Sequence, residues 1–321
     1  MLTGIAKLAH EGASLAQKAV VEYRTLPSRS LLNRCAGERM PFQWTINPYR
    51  GCEFGCKYCY ARYTHEFMEL REPLDFERAI FAKEFDARAF SRELRAVKTE
   101  DWIAIGTATD PYQPAERRYC LTRKVLEMFL RREGFQLAIT TKSDLVARDA
   151  GLLAAVAERN RVRVNMTVTT MDAGLARMLE PMAPRPDLRL AALASLARAG
   201  VEVGVAASPV MPGINDGAAS LEAIARAAQA ARAGHLWAQP VFLKACALAV
   251  FLPFLDERFP HLARAYRSHF ARKSRIGGQY EARLRTTVQA LKNKYGLRRA
   301  APVTPWGQMA LGIEMDGPAA Q

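Results

Sequence analysis

The sequence predicts an α/β protein built on six parallel strands, and three observations predict it. Short apolar, β-branched runs alternate with segments of helical spacing. From the second run onward the runs start 34, 26, 39 and 35 residues apart, and the residues that end them are polar. That is the beat of βα units, too irregular for a solenoid repeat, and it allows an open doubly wound sheet or a partial barrel.

Residues 1–40 read as a lead-in, in which Ala6–Tyr23 has helical spacing and Leu26-Pro27 ends it. The body, residues 41–243, carries strands at Phe42–Ile46, Trp102–Thr107, Gln136–Thr141, Val162–Thr169, Val201–Ala207 and Leu236–Phe242. Helices are expected at Leu121–Arg132, Asp149–Arg159, Leu188–Ala199 and Ser220–Ala233. Five successive strand ends carry hydroxyls, amides or charges, from Asn47-Pro48-Tyr49-Arg50-Gly51-Cys52 to Ser208-Pro209-Val210-Met211-Pro212-Gly213-Ile214-Asn215-Asp216. Carboxyl ends of strands form the working face of parallel α/β folds, so these groups are expected to share a pocket; helix capping by Thr and Ser is the plainer reading of any single loop. Residues 244–300 form a basic helical region, and the Pro-, Gly- and Ala-rich residues 301–321 read as a flexible tail.

Half of the 321 residues are hydrophobic, enough for a sizeable core, which excludes wholesale disorder. Lys and Arg outnumber Asp and Glu by 46 to 32, a net charge of +14 that points to an anionic partner, most simply nucleic acid. The most apolar stretch, Ala238–Leu255, is broken by Pro240, Lys244 and Pro253 and is too short to span a membrane. The N-terminus shows no apolar signal core, so a cytoplasmic location is expected.

Three of the six cysteines fall within eight residues, as Cys52-x3-Cys56-x2-Cys59. Three thiolates on one short loop can hold three corners of an iron–sulfur cube, and Gly51 and Gly55 allow the tight wrap. No fourth cysteine follows nearby, which leaves one iron open to a ligand. The alternative is structural zinc, which wants four closed ligands and would need His65 at an unusual spacing. Cys35 and Cys246 read as buried thiols.

With Tyr58 before Cys59, the motif Cys-x3-Cys-x-aromatic-Cys resembles the signature of the radical S-adenosylmethionine (SAM) superfamily. More narrowly, the chain resembles the spore photoproduct lyase-like family, also called DNA repair photolyase-like. Besides the two strand ends quoted above, the matching stretches are Thr109-Asp110-Pro111-Tyr112-Gln113-Pro114, Leu121-Thr122-Arg123, Thr140-Thr141-Lys142-Ser143, Arg148-Asp149 and Leu179-Glu180-Pro181. The resemblance implies a partial (βα)6 barrel of TIM type and a 4Fe–4S cluster on Cys52, Cys56 and Cys59. It also implies S-adenosyl-L-methionine chelating the open iron and cleaved by one-electron reduction to a 5′-deoxyadenosyl radical that takes hydrogen from substrate. The electron would come from a donor such as flavodoxin or ferredoxin. Lys142 is expected at the methionine carboxylate; Thr107, Thr109 and Asp110 near the amino group; Thr167 at the carboxylate or ribose; and Tyr58 beside the adenine. Spore photoproduct lyase returns a hydrogen atom to its product from a cysteine near the end of the second strand. Here that region reads Gly106-Thr107-Ala108-Thr109, which leaves Cys120, Tyr112 and Tyr60 as candidate donors. Cys120 starts a helix, where a thiol gains acidity.

From Arg264 to Arg299 there are eleven Lys or Arg and one acidic residue, Glu281, with Tyr266, His269, Phe270, Tyr280 and Tyr295 interleaved. This segment is the expected contact to DNA or RNA for repair or modification. Two alternatives stand beside that reading. One is radical modification of a protein or small molecule, with the charge run a solvated face. The other is a non-catalytic, metal-stabilised nucleic-acid-binding protein. In the tail, Gln308-Met309-Ala310-Leu311-Gly312-Ile313 resembles peptides that dock on bacterial sliding clamps.

Overall fold

The computed structural model describes residues 2–12, 14–17, 20–35 and 41–298. Six parallel strands lie side by side in chain order: β1 (Trp44–Ile46), β2 (Trp102–Ile105), β3 (Gln136–Thr141), β4 (Arg161–Thr167), β5 (Glu202–Val210) and β6 (His235–Pro240). Leu32–Arg34 adds a short antiparallel strand outside β1, so that β6 and this strand are the two edges of a partial barrel. Helices between the strands pack on the outer face, as right-handed βαβ crossovers require.

The alternation along each strand sets the two faces. Ile103, Ile105, Leu137, Ile139, Val162, Val164, Met166, Val203 and Val205 point outward into the helical layer and form the main core. The inward residues form layers. At the amino ends, Arg163 pairs with Glu202, and His235 Nε2 lies 2.8 Å from Asn165 Oδ1, with Trp102 beneath the Arg161 and Arg163 guanidinium groups. Above them come Trp102, Ala104, Ala138, Ala206, Trp237 and Phe42. Bulky and paired groups thus plug one end, and the interior opens at the carboxyl ends of the strands.

A second sheet of four strands supports that open end. It orders Ser14–Gln17, Glu22–Leu26, Ala79–Lys83 and Tyr49–Arg50, with Glu22–Leu26 and Ala79–Lys83 parallel. This corrects the helical lead-in: the helix covers only Gly4–Glu11, and strands follow it. A side chain at Gly12 would lie 2.1 Å from the Thr25 carbonyl oxygen, so the chain turns where the helix would otherwise run on. The parallel partner of Glu22–Leu26, Ala79–Lys83, lies more than fifty residues away, and local periodicity carries no trace of it.

Beyond β6 come helices Ala245–Arg258, Pro260–Phe270 and Gln279–Lys294. The last buries the stripe Leu284, Val288 and Leu291 against the main core, the spacing of an amphipathic helix. None of the described helices is long and apolar enough to cross a membrane. The clamp-like segment 308–313 and Arg299 lie outside the described residues.

Candidate active site

Cys52, Cys56 and Cys59 lie on the loop that leaves the Tyr49–Arg50 strand. Gly51 makes the exit possible. Its φ is +81°, and a Cβ there would sit 2.7 Å from the Ala79 carbonyl oxygen and 2.9 Å from that of Phe76. The Cys52 amide then donates to Phe76 O at 2.9 Å, and the Gly51 carbonyl accepts from Thr109 Oγ1 at 2.6 Å and Gln113 Nε2 at 2.9 Å. The far side of the loop is tied to the segment after β4: Lys57 N to Leu179 O at 2.9 Å, and Met182 N to Phe54 O at 3.2 Å.

All three cysteines line one cavity at the carboxyl ends of the strands, together with Tyr58, Tyr60, Thr107, Thr109, Asp110, Thr140, Thr141, Lys142, Thr167, Ser208 and Trp237. Strand ends two to five therefore do converge. The thiols are free of disulfides, and burial pushes all three up, Cys56 to about 12. Iron would have to displace their protons. Two cations ease that: Arg62 and Lys142 both favour the Cys59 thiolate, and Lys142 favours that of Cys56. Arg62 is held by Glu77 and by the carbonyls of Pro73 and Cys56.

Among the described residues no three His, Cys, Asp or Glu side chains converge to grip a single metal ion. A closed zinc site would need a fourth ligand beside the three thiols. His65, the candidate for it, is committed elsewhere. Its Nε2 meets Ala79 O at 2.9 Å, the ring packs edge-on to Phe76 and Phe81, and burial pushes it down to about 4.

The polar wall divides into braces and open groups. Asp110 is a brace: Oδ1 accepts from Thr141 Oγ1 at 2.6 Å and Tyr112 N at 2.9 Å, and Oδ2 accepts from Lys142 N at 2.7 Å. Burial raises its pKa, against these hydrogen bonds. Thr109 spends its proton on Gly51, and Thr107 Oγ1 accepts from Asn47 Nδ2 at 3.0 Å. Thr140 Oγ1 is buried with no partner, and the Lys142 ammonium lies 5.6 Å from the centre of the Tyr58 ring. Burial opposes the charge on Lys142, yet Cys56 and Glu180 hold its pKa above the ordinary value. An unsatisfied hydroxyl, a lysine and three thiols on one wall fit an anionic cluster and a polar cofactor.

Two candidate donors are corrected. Tyr112 is fully buried in the main core, on the helical side of the sheet near Asp149, Glu116 and Arg148, and not on the cavity wall. Cys120 caps the short helix Glu116–Tyr119 in a left-handed conformation, φ 52°, with its sulfur 3.8 Å from Arg148 Nη1, outside the cavity. Of the three, only Tyr60 reaches the cavity, where its hydroxyl donates to Thr107 O. The neighbouring motif residues serve the frame: Glu116 accepts from Tyr49 Oη, Thr122 N and Arg123 N and pairs with Arg148, which also holds Asp149.

The reading of single residues missed a buried ion pair behind the loop. Glu180 accepts from Tyr58 Oη and from Thr169 Oγ1 at 3.0 Å, and pairs with Arg189 at 2.5 Å. Arg189 also donates to Pro184 O and Thr167 O. Glu180 stands in a matched motif, but Arg189 sits in the first turn of the helix Pro186–Arg198, where an arginine reads as surface.

Residues 46–227 match the family described as the Radical SAM superfamily. An uncharacterized protein of Mycobacterium tuberculosis (strain H37Rv) is 32% identical over 287 residues, which cover 88% of this chain and 84% of that protein. One of Methanocaldococcus jannaschii is 29% identical over 54% of this chain and 62% of its own length. Among solved structures, spore photoproduct lyase complexed with dinucleoside spore photoproduct aligns with a TM-score of 0.59 at 17% identity, covering 85% of this chain and 79% of that one. A mutant of that lyase with bound AdoMet and the same dinucleoside aligns at 0.58, also at 17% identity, over 84% and 79% of the two chains.

Proposed function

The chain belongs to the radical SAM superfamily, and from that premise we propose that it is a radical enzyme acting on nucleic acid, in repair or modification of a base or its sugar. When bound, a 4Fe–4S cluster with S-adenosylmethionine supplies a carbon radical able to abstract hydrogen. This chain's own residues do the rest. Cys52, Cys56 and Cys59 would hold the cluster. Lys142 would meet the cofactor carboxylate, and Thr140 and Thr167 offer hydroxyls on the same wall. Asp110 locks the ends of β2 and β3 so that these groups keep their places, and Trp237, Phe42 and the alanine layer close the floor against water.

The observation that carries the nucleic-acid reading is the attachment of the basic segment to the open end of the barrel. Leu243 N donates to Ser274 O at 2.9 Å, and Phe242 bridges Arg275, just past the carboxyl end of β6. Most of the cations in this segment are exposed. Arg264, Arg272 and Lys273 are exposed and in none of the ion pairs among the described residues, whereas Arg275 is tied to Glu281, Arg267 to Asp256 and Lys294 to Glu222. The aromatics do not add stacking surfaces. Tyr266 and Phe270 are buried, and Tyr280 donates to Asp216 Oδ2 at 3.1 Å. Binding would therefore rest on phosphate contacts, with the target leaving its stack to reach the cavity. A dinucleoside photoproduct in the lyase of similar fold supports the substrate class; the missing thiol at Gly106–Thr109 argues for a different reaction outcome.

Exchange of Arg264, Arg272 and Lys273 for Glu is expected to weaken DNA or RNA binding at least tenfold. It should lower the slope of log affinity against log salt by about 2–3, the loss of three phosphate contacts. Release of 5′-deoxyadenosine without substrate should be unchanged. Equal affinity of variant and wild type for both nucleic acids would return the substrate to the protein or small-molecule class.

A further inference from the structure

The segment after β4 that is bonded to the cysteine loop presents an apolar surface. Among the described residues seven large hydrophobic side chains are exposed, and three of them, Met178 (37%), Met182 (66%) and Leu188 (46%), fall within eleven residues of chain. Two backbone bonds fasten this segment to the cysteine loop: Leu179 O to Lys57 N, next to Cys56, and Met182 N to Phe54 O. Met178 also lines a groove with Lys57, Arg177, Val250 and Arg258.

The charge of this surface is positive. Lys57 and Arg177 are in no ion pair among the described residues, and Arg177 rests on the Pro181 carbonyl. Arg185 and Arg258 pair with Asp187 and Glu257, which leaves about two uncompensated cations around the methionines. An adaptable methionine surface rimmed by cations suits a brief encounter with an acidic partner, since Met and Arg are favoured at interfaces and charge steers the approach. Transient redox complexes lie at the small end of the interface range, so a patch of this size suffices.

We propose that the Met178–Met182 surface, with Lys57 and Arg177, is the docking site of a small acidic one-electron carrier protein. One electron would leave the reduced carrier, which is oxidised by one equivalent, and would pass to the cluster that Cys52, Cys56 and Cys59 would hold; Lys57 is the chain neighbour of Cys56. The proposal rests on the family assignment and not on the nucleic-acid reading, so it is tested with no nucleic acid present.

Two probes are used against the iron-loaded protein, a flavodoxin and an acidic 2Fe–2S ferredoxin, with affinity read by calorimetry at low and high salt. At least one is expected to bind the wild type and to weaken with salt. The triple variant Lys57→Glu, Arg177→Glu, Met182→Asp should lose tenfold or more in that affinity and most of its salt dependence. In the single variant Met182→Asp, 5′-deoxyadenosine release should fall with the carrier as reductant and stay at the wild-type rate with dithionite. The single variant Met182→Asp, at the most exposed position, gives the same test if the triple variant does not fold, with a smaller loss of affinity expected. Wild-type affinity in a folded variant, failure of both carriers to bind the wild type, or a variant that changes only the oligomeric state would overturn the proposal.

Discussion

Replacing any one of Cys52, Cys56 or Cys59 with Ala is expected to abolish both iron loading and the cleavage of S-adenosylmethionine. The wild type should take up about four irons and four sulfides per chain on anaerobic reconstitution and absorb broadly near 400 nm. Each variant loses one corner of a site that has no spare thiol: Cys35, Cys120 and Cys246 do not line the cavity. Cys35→Ala and Cys246→Ala should therefore keep full iron and full 5′-deoxyadenosine release. The loop itself should survive the substitutions, because its position depends on backbone bonds from Gly51, Cys52, Phe54 and Lys57 rather than on the sulfurs. Retention of iron and turnover in any of the three loop variants would remove the cluster assignment. Tight binding of one zinc by the wild type, with no iron assembly, would remove the enzyme.

What the sequence made legible follows from the range over which each signal acts. The six parallel strands were readable because βα units write their period locally, and the cysteine loop because three ligands sit within eight residues. The strand ends were readable as a group: Thr107, Thr109, Asp110, Lys142 and Thr167 do share one wall. Their division of labour was not readable. Whether Asp110 faces a ligand or braces Thr141 and Lys142 depends on the pairing of β2 with β3, which no single strand encodes. The second sheet was hidden for the same reason, since Glu22–Leu26 pairs with Ala79–Lys83. Tyr112 and Cys120 do not line the cavity, because closeness in sequence to a site residue does not fix which side of a turn faces it. Among the basic residues, composition separated charge from core correctly, but it could not show that Tyr266 and Phe270 anchor the helices.

Loss of Glu180 should be the costliest single change outside the cysteines. Glu180 and Arg189 are 0% and 1% exposed at their side chains and lie 2.5 Å apart, with Tyr58 and Thr169 completing the carboxylate's hydrogen bonds. Glu180→Leu leaves the Arg189 guanidinium buried with only the Pro184 and Thr167 carbonyls, which typically costs about 3–5 kcal/mol. A fall in the thermal midpoint on the order of 5–15 °C should result. The paired variant Glu180→Leu, Arg189→Met removes the orphan charge and should recover much of the loss, since a well-packed apolar pair can replace a buried ion pair. The wild type should also show a defined acid limb. Burial alone would push the Glu180 carboxyl up, but the Arg189 and Lys142 charges outweigh it and hold the pKa below the ordinary value. A depressed folded-state pKa means stability that is fully present above the unfolded value, near 4.5, and is lost as pH falls through the folded one. The paired variant lacks this group, so its stability should fall less steeply than the wild type's below about pH 4.5. Tyr58 loses its acceptor in both variants, and it lies between Cys56 and Cys59 in the chain and under Lys142. Cluster loading should therefore stay impaired in the paired variant even where the fold recovers, which separates the pair's support of the cysteine loop from its share in stability. A paired variant that loads iron like the wild type would confine Glu180 and Arg189 to the frame.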